Sequence, residues 1–307
     1  MRFVLYNRGI RIFPIPRLFF GGIIITNIKH KFQLNAFQIK IIALITMTLD
    51  HFSKYQTFTV NRTFNDVLGI VGRIAAPLFL FMVLEGLRHT RSKPKYIFRL
   101  YIAGVIIGIS NRIVEKISGT GVLFDNTLPM LFYTALFAFC IEQIIKNRSN
   151  IKFVCLASCG LIAPFLFYIL NVILQENGFD AIWRIIEIFF PSPLSISYSI
   201  LFVIMGVAWY FINNKVINCV VFGLLSVACK LIPATVFFTV PTVWLSPVFI
   251  STFGLFVNDQ WCMCLAIPFI LLYNGEKGHS LKYMFYIYYP LHVYVLFFIQ
   301  FFRNRIN

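Results

Sequence analysis

Long apolar runs, parted by short polar and basic stretches, dominate the chain from residue 36 onward. Runs at 36–53, 66–87, 97–114, 127–145, 152–174, 194–212, 216–231, 234–250, 261–274 and 282–302 predict about ten helices. Most approach the roughly 20 apolar residues that a helix needs to cross a bilayer. Pro233, Pro241, Pro247 and Pro268 interrupt the seventh to ninth. The runs are continuous rather than alternating, which argues against a membrane β-barrel. The expected fold class is therefore all-α: a polytopic integral membrane helical bundle with one domain over 34–307. Residues 1–33 read as a separate basic extension. Its apolar run, Leu18 to Ile28, has only 11 residues, and no small-residue cleavage site follows. This suits an interfacial segment rather than a span.

Composition strengthens this reading. Hydrophobic residues make up 59% of the 307 and charged residues 12%, against roughly 45–50% and 25% in soluble domains. There are 36 phenylalanines. A soluble globule of this size could not hide so much apolar surface. Soluble enzymes, disulfide scaffolds and disordered chains are excluded. The seven cysteines lie mostly within apolar runs, without CxxC or Cys/His spacing. They read as small buried residues, and no metal is expected. Walker, dinucleotide-binding, HExxH and GxSxG motifs are all missing.

The charge balance, 27 basic against 11 acidic residues, gives +16. Because the basic residues fall between apolar runs, they point to topology rather than to nucleic acid. Residues 88–99 hold Arg88, Arg91, Lys93, Lys95 and Arg99 without an acid, 146–152 hold three more basic residues, and the tail carries Arg303 and Arg305. With ten spans all of these share one side, which places both termini in the cytoplasm. The more acidic loop 175–193 then lies outside. Lys54, Arg62, Arg112 and Lys116 also fall outside, against the bias, and so require partners or a role.

Ionisable groups inside apolar runs are expensive and are functional candidates. Lys40, Asp50 and His51 stand in the first run. Lys40 and His51 are 11 residues apart, about three turns and 16 Å of rise, hence on one face. Asp50 points about 100° away from His51. Arg73 sits about two turns into the second run, where a buried guanidinium requires a carboxylate or phosphate, and Asp50 is at matching depth. Glu85 and His89 share a face at i,i+4. Asn111-Arg112 and Asp125-Asn126-Thr127 end neighbouring runs near the depth of His51. His292 is expected near mid-membrane, with the hydroxyl of Tyr288 or Tyr289 within reach of its ring across one turn.

Three segments together resemble the TraX family of polytopic membrane proteins. They are "LNAFQIKIIALITMTLDHFSKY", "GRIAAPLFLFMVLEGLRHTRSKPKYIFRL" and "FYIYYPLHVYVL". The family is named for a conjugation protein needed to acetylate the N-terminus of F-pilin. The resemblance runs from about residue 34 to the C-terminus. The first run is also similar in plan to membrane acyltransferases that modify surface sugars. These carry a basic residue at the inner end of a span and a His at its outer end. Lys40 and His51 match that plan, with Lys in place of the more usual Arg.

The resemblance implies an acetyl-CoA-dependent N- or O-acetyltransferase in the bacterial inner membrane. Acetyl-CoA is a co-substrate on the cytoplasmic side, and the acceptor is a pilin-like protein or a glycan at the outer side. Expected cofactor-binding residues are Lys40, past which the pantetheine arm would thread, and His89, Arg91, Lys93 and Lys95 in or beside the basic segment Arg88–Arg99, which suits phosphates. Expected catalytic residues are His51, Asp50, Arg73 and His292. His51 is either a general base or the carrier of a covalent acyl group. Arg73 suits a developing oxyanion. Two other classes stay open: a carrier with an ionisable relay, and a non-catalytic pilus or envelope assembly protein. The partners expected in every case are membrane lipids, with no nucleic acid.

Overall fold

A computed structural model describes residues 33–55, 61–119, 126–194, 199–212, 214–231, 258–279 and 282–306. The predicted run 234–250, Asp125 and the interfacial segment within 1–32 lie outside the described residues. Residues 33–307 form one compact unit.

The described residues are helical: α1 (Ala36–Lys54), α2 (Arg62–Gly72), α3 (Ala75–His89), α4 (Lys93–Ser118), α5 (Leu128–Lys146) and α6 (Ile151–Glu176) come first. Then follow α7 (Asp180–Phe189), α8 (Ser199–Phe211), α9 (Lys215–Leu231), a 3-10 helix (Asn258–Ala266), α10 (Ile267–Leu272) and α11 (Lys282–Ile306). An isolated parallel bridge joins Leu34 to Tyr273. Four stretches are long and apolar enough to cross a membrane: Thr63–His89, Lys93–Ser118, Leu128–Lys146 and Ile151–Glu176. Ile200–Phe211 and Gln260–Leu272 are shorter apolar helices.

Local chemistry sets several boundaries. Asn35 and Gln38 form a reciprocal cap at the start of α1, each side chain bonding the other's backbone N–H at 3.0 and 2.9 Å. Two orphan donors of the first turn are thereby satisfied. The segment before α10's end and the loop after it lace this start in place, through Leu34 N–H to Leu272 O and Ala36 N–H to Glu276 O. The predicted second helix is broken into α2 and α3 at Arg73–Ile74. Pro77 explains the break: it has no N–H to donate to the carbonyl of Arg73, and its ring crowds that carbonyl. The basic stretch 88–99 is also not one loop. α4 begins at Lys93, with Pro94 in its first turn, where a missing N–H costs nothing.

The core lies among α1, α3, α5, α8, α9 and the 3-10 segment, with Ile39, Leu80, Met130, Phe202, Phe222 and Met263 fully enclosed. The long helix α6 buries only Ala157, Pro164 and Asn171, a seven-residue repeat that makes one narrow stripe. Leu156, Ile162, Leu166, Ile169 and Ile173 face outward. So much exposed aliphatic surface on a long helix is what lipid tails cover. Cys155 and Cys159 are on this exposed part of α6, contrary to the expectation that the cysteines are buried, whereas Cys140, Cys219, Cys229 and Cys262 are buried. The narrow stripe explains the difference, because Cys155 and Cys159 lie off the line of Ala157, Pro164 and Asn171 that α6 buries.

Candidate functional site

The last turn of α1 carries Asp50 and His51, both buried. Neighbouring helical residues point about 100° apart, so they meet different helices. Asp50 meets α2. Its Oδ2 pairs with Lys54 Nζ at 3.0 Å, and Arg73 Nη1 lies 4.0 Å from Oδ1. Arg73 stands at the break between α2 and α3, so Pro77 indirectly delivers the guanidinium to Asp50. Neither Asp50 Oδ1 nor Arg73 Nε has a hydrogen-bond partner among the described residues, and both atoms are buried. The pair thus keeps unused hydrogen-bonding capacity in the interior. A purely structural ion pair would gain by closing it.

His51 meets α11. Its ring centroid lies 5.2 Å from that of His292, at an edge-on 61°. The two imidazoles are therefore at one depth. The expectation that His51 lies near the surface and His292 near mid-membrane is corrected. Helix counting measures depth along each helix separately and carries no information on how α1 and α11 are shifted against each other.

The surroundings of His292 define its proton. Nδ1 is 2.9 Å from the backbone carbonyl of Tyr288, one turn earlier. A carbonyl can only accept, so this bond requires the proton on Nδ1, and in the neutral ring Nε2 carries the lone pair. Nε2 is buried and has no hydrogen-bond partner among the described residues. The Tyr288 ring stacks on the imidazole at 5.2 Å and 8°. The spacing had suggested a bond from the Tyr288 or Tyr289 hydroxyl to the ring, but among the described residues the ring's hydrogen bond is to the Tyr288 carbonyl. Tyr288 bonds Thr48 Oγ1 at 2.9 Å, and Tyr289 bonds Thr127 Oγ1 at 2.7 Å and accepts from the Thr127 N–H at 3.0 Å. Tyr294 donates to Asn111 Oδ1 at 2.8 Å. Three hydroxyls of α11 thus tie it to α1, to α4 and to the entry of α5, and the tyrosines hold the helix while the carbonyl holds the imidazole.

Arg112, one of the basic residues expected to need a partner, pairs with Glu115 at 3.0 Å and with Glu187 of α7 at 3.2 Å. Lys54 has its partner in Asp50.

The opposite end of the bundle holds the basic residues. Arg88 pairs with Glu85 and donates to the carbonyls of Trp209 and Tyr210, the unsatisfied end of α8. His89 Nε2 is 3.5 Å from the same Glu85, and its side chain is 73% exposed. Lys93 is half-buried against Glu142 at 2.5 Å and the Tyr210 hydroxyl at 2.6 Å. Lys146 holds the other oxygen of Glu142. Arg91 and Lys95 are exposed. Lys40 is partly buried in α1, near enough to Lys277 for the charges to interact. The five expected cofactor-binding residues therefore differ in their surroundings. Lys93 joins an internal carboxylate–hydroxyl network, and Lys95 faces away from it. The joining of Glu142 and Tyr210 with Lys93 was not anticipated, because these three residues are distant in sequence.

A helical membrane protein with two buried, touching imidazoles and a carboxylate–guanidinium pair beside them defines the class. The TraX protein family matches residues 36–300. The chain belongs to that family. A stretch of 78 residues is 38% identical to "Probable fimbrial assembly protein FimC, serogroup H1" of Dichelobacter nodosus. That match covers 25% of this chain and 32% of the relative, about a third of its length. No solved structure matches the chain.

Proposed function

We propose that this protein is a multi-pass acyltransferase of the bacterial inner membrane, with about ten spans and both termini cytoplasmic. It transfers acetyl from cytoplasmic acetyl-CoA to an amine or hydroxyl at the outer side. The observation that carries this reading is the buried His51–His292 contact, 5.2 Å between ring centroids, with Asp50 and Arg73 alongside. A buried nitrogen lone pair on a ring of set tautomer suits a general base. On this reading an imidazole takes the proton as the acceptor's nitrogen or oxygen attacks the thioester carbonyl. Arg73 stabilises the oxyanion. The C–S bond then breaks, and the CoA sulfur leaves as thiolate or takes up the proton. Lys40, His89 and Arg91 are the residues best suited to meet the nucleotide phosphates, with Lys40 about 16 Å from His51 along α1 by helix rise. Similarity to a fimbrial assembly protein supports a pilin-like or surface-glycan acceptor.

The test is turnover of labelled acetyl-CoA by purified protein in detergent. Release of CoA, lost in the His51→Ala, His292→Ala double variant, is expected. A carrier or an assembly scaffold gives no CoA release in any variant.

A further inference from the structure

α4 carries one face that is exposed along its length. Lys95, Arg99, Ile102, Ile106, Ile109 and Ile113 are all exposed. At 100° per residue they fall within about 40° of the direction of Lys95. Gly104, which packs on Leu128 and Pro129, and Asn111, which accepts from Tyr294, are on the opposite side. The stripe is thus the outward face of a helix long and apolar enough to cross a membrane. Its composition changes abruptly: two cations at the Lys93 end, then aliphatic residues only.

Among the described residues the two cations make no ion pair, whereas neighbouring Arg88 and Lys93 have carboxylate partners. The single acid of α4, Glu115, is bonded to Arg112. Lys95, Arg99, Pro94 and Phe98, all on one stretch of α4, line a shallow surface groove of about 360 Å³ that is wide open and almost wholly apolar, so the side-chain stems form its walls and the charged ends its rim. Phe98 is 61% exposed and lies between the two charges, at the start of the apolar stripe.

We propose that this groove binds an anionic glycerophospholipid. Its phosphate is held by Arg99 and Lys95, its glycerol region rests on Phe98, and one acyl chain runs along Ile102, Ile106 and Ile109. The dimensions agree. From Arg99 to Ile109 the helix rises about 15 Å, half of the roughly 30 Å hydrocarbon core and so one leaflet. A guanidinium and an ammonium with no carboxylate between them favour net negative headgroups, and basic residues next to a span are the usual device for this. The inference concerns a face remote from the histidines, and it is independent of the acyltransferase reading.

The test is lipid retention by the full chain purified in neutral detergent, followed by native mass spectrometry with phosphatidylglycerol or phosphatidylcholine of matched chains. Wild type should retain phosphatidylglycerol selectively. The Lys95→Gln, Arg99→Gln double variant should lose that preference by on the order of tenfold. Arg148→Gln, in a loop, is the control and should behave as wild type. Ile106→Gln, which leaves both charges, should weaken retention of the long-chain lipid but not competition by glycerol phosphate. Equal retention of both lipids by wild type, or undiminished selectivity in the double variant, overturns the proposal. So does complete displacement of the lipid by equimolar inorganic phosphate, which would show an ion site without use of the stripe.

Discussion

Gly72 of α2 lies against Asp50 of α1 with no space for a side chain: a Cβ there would fall 2.3 Å from Asp50 Cβ and 2.8 Å from its Oδ1. Ordinary carbon contacts are about 3.5–4.0 Å. The missing side chain is what lets α2 bring Arg73 towards the carboxylate. Gly72→Ala is therefore expected to force the two helices apart and to lower stability by about 1–3 kcal/mol. Thermal unfolding in detergent measures this, and an unchanged midpoint contradicts the close approach.

The two imidazoles should act as one unit. A general base contributes about 10²–10⁴-fold. His51→Ala and His292→Ala should each lower acyl transfer by a factor in that range, and the double variant should fall little below the worse single one. His279→Ala should leave turnover near wild type, because His279 is an exposed loop residue whose ring meets Phe37 edge-on. Independent, multiplicative losses in the double variant would mean that the rings do not act as a unit.

Buried Asp50 and partly buried Arg73 are 4.0 Å apart. Removal of one partner leaves the other charged in the interior, whereas removal of both does not. Asp50→Asn and Arg73→Gln should each destabilise, and the double variant should be less damaged than the sum, with a coupling of about 0.5–3 kcal/mol. A double-mutant cycle on unfolding midpoints measures it. Strict additivity would reduce the pair to proximity without interaction.

The basic residues near the start of α4 should divide into two groups. Lys93→Met removes a cation from Glu142 and a donor from Tyr210, so its main effect should be lower stability, about 1–3 kcal/mol. Arg91→Gln should leave the unfolding midpoint alone and weaken acetyl-CoA binding, with a smaller dependence on salt than wild type. Calorimetric titration with acetyl-CoA at two ionic strengths distinguishes them. If Lys93→Met and Arg91→Gln reduce affinity equally with no loss of stability, the network around Glu142 is not structural.

The apolar runs determined where most helices lie, because hydrophobicity over about 20 residues is a local property that bilayer thickness enforces. α1, α5, α6 and α9 begin and end within two residues of the apolar runs. Pro77 even encoded the break that turns Arg73 towards Asp50, since proline acts on the carbonyl four residues earlier whatever surrounds it. Asp50, His51, Arg73 and His292 were each conspicuous, because ionisable groups in apolar runs are rare. Their mutual placement was not legible. The contact of His51 with His292 joins positions 241 apart, and it depends on the axial shift of α11 against α1, which the Tyr288–Thr48 and Tyr289–Thr127 bonds hold. The fate of each basic residue was hidden for the same reason. Lys93 and Lys95 look alike in sequence, but a rotation of about 200° along α4 turns one towards Glu142 and the other out of the bundle. Which way a helix faces is decided by the neighbours that pack on it, and only the tertiary structure supplies them.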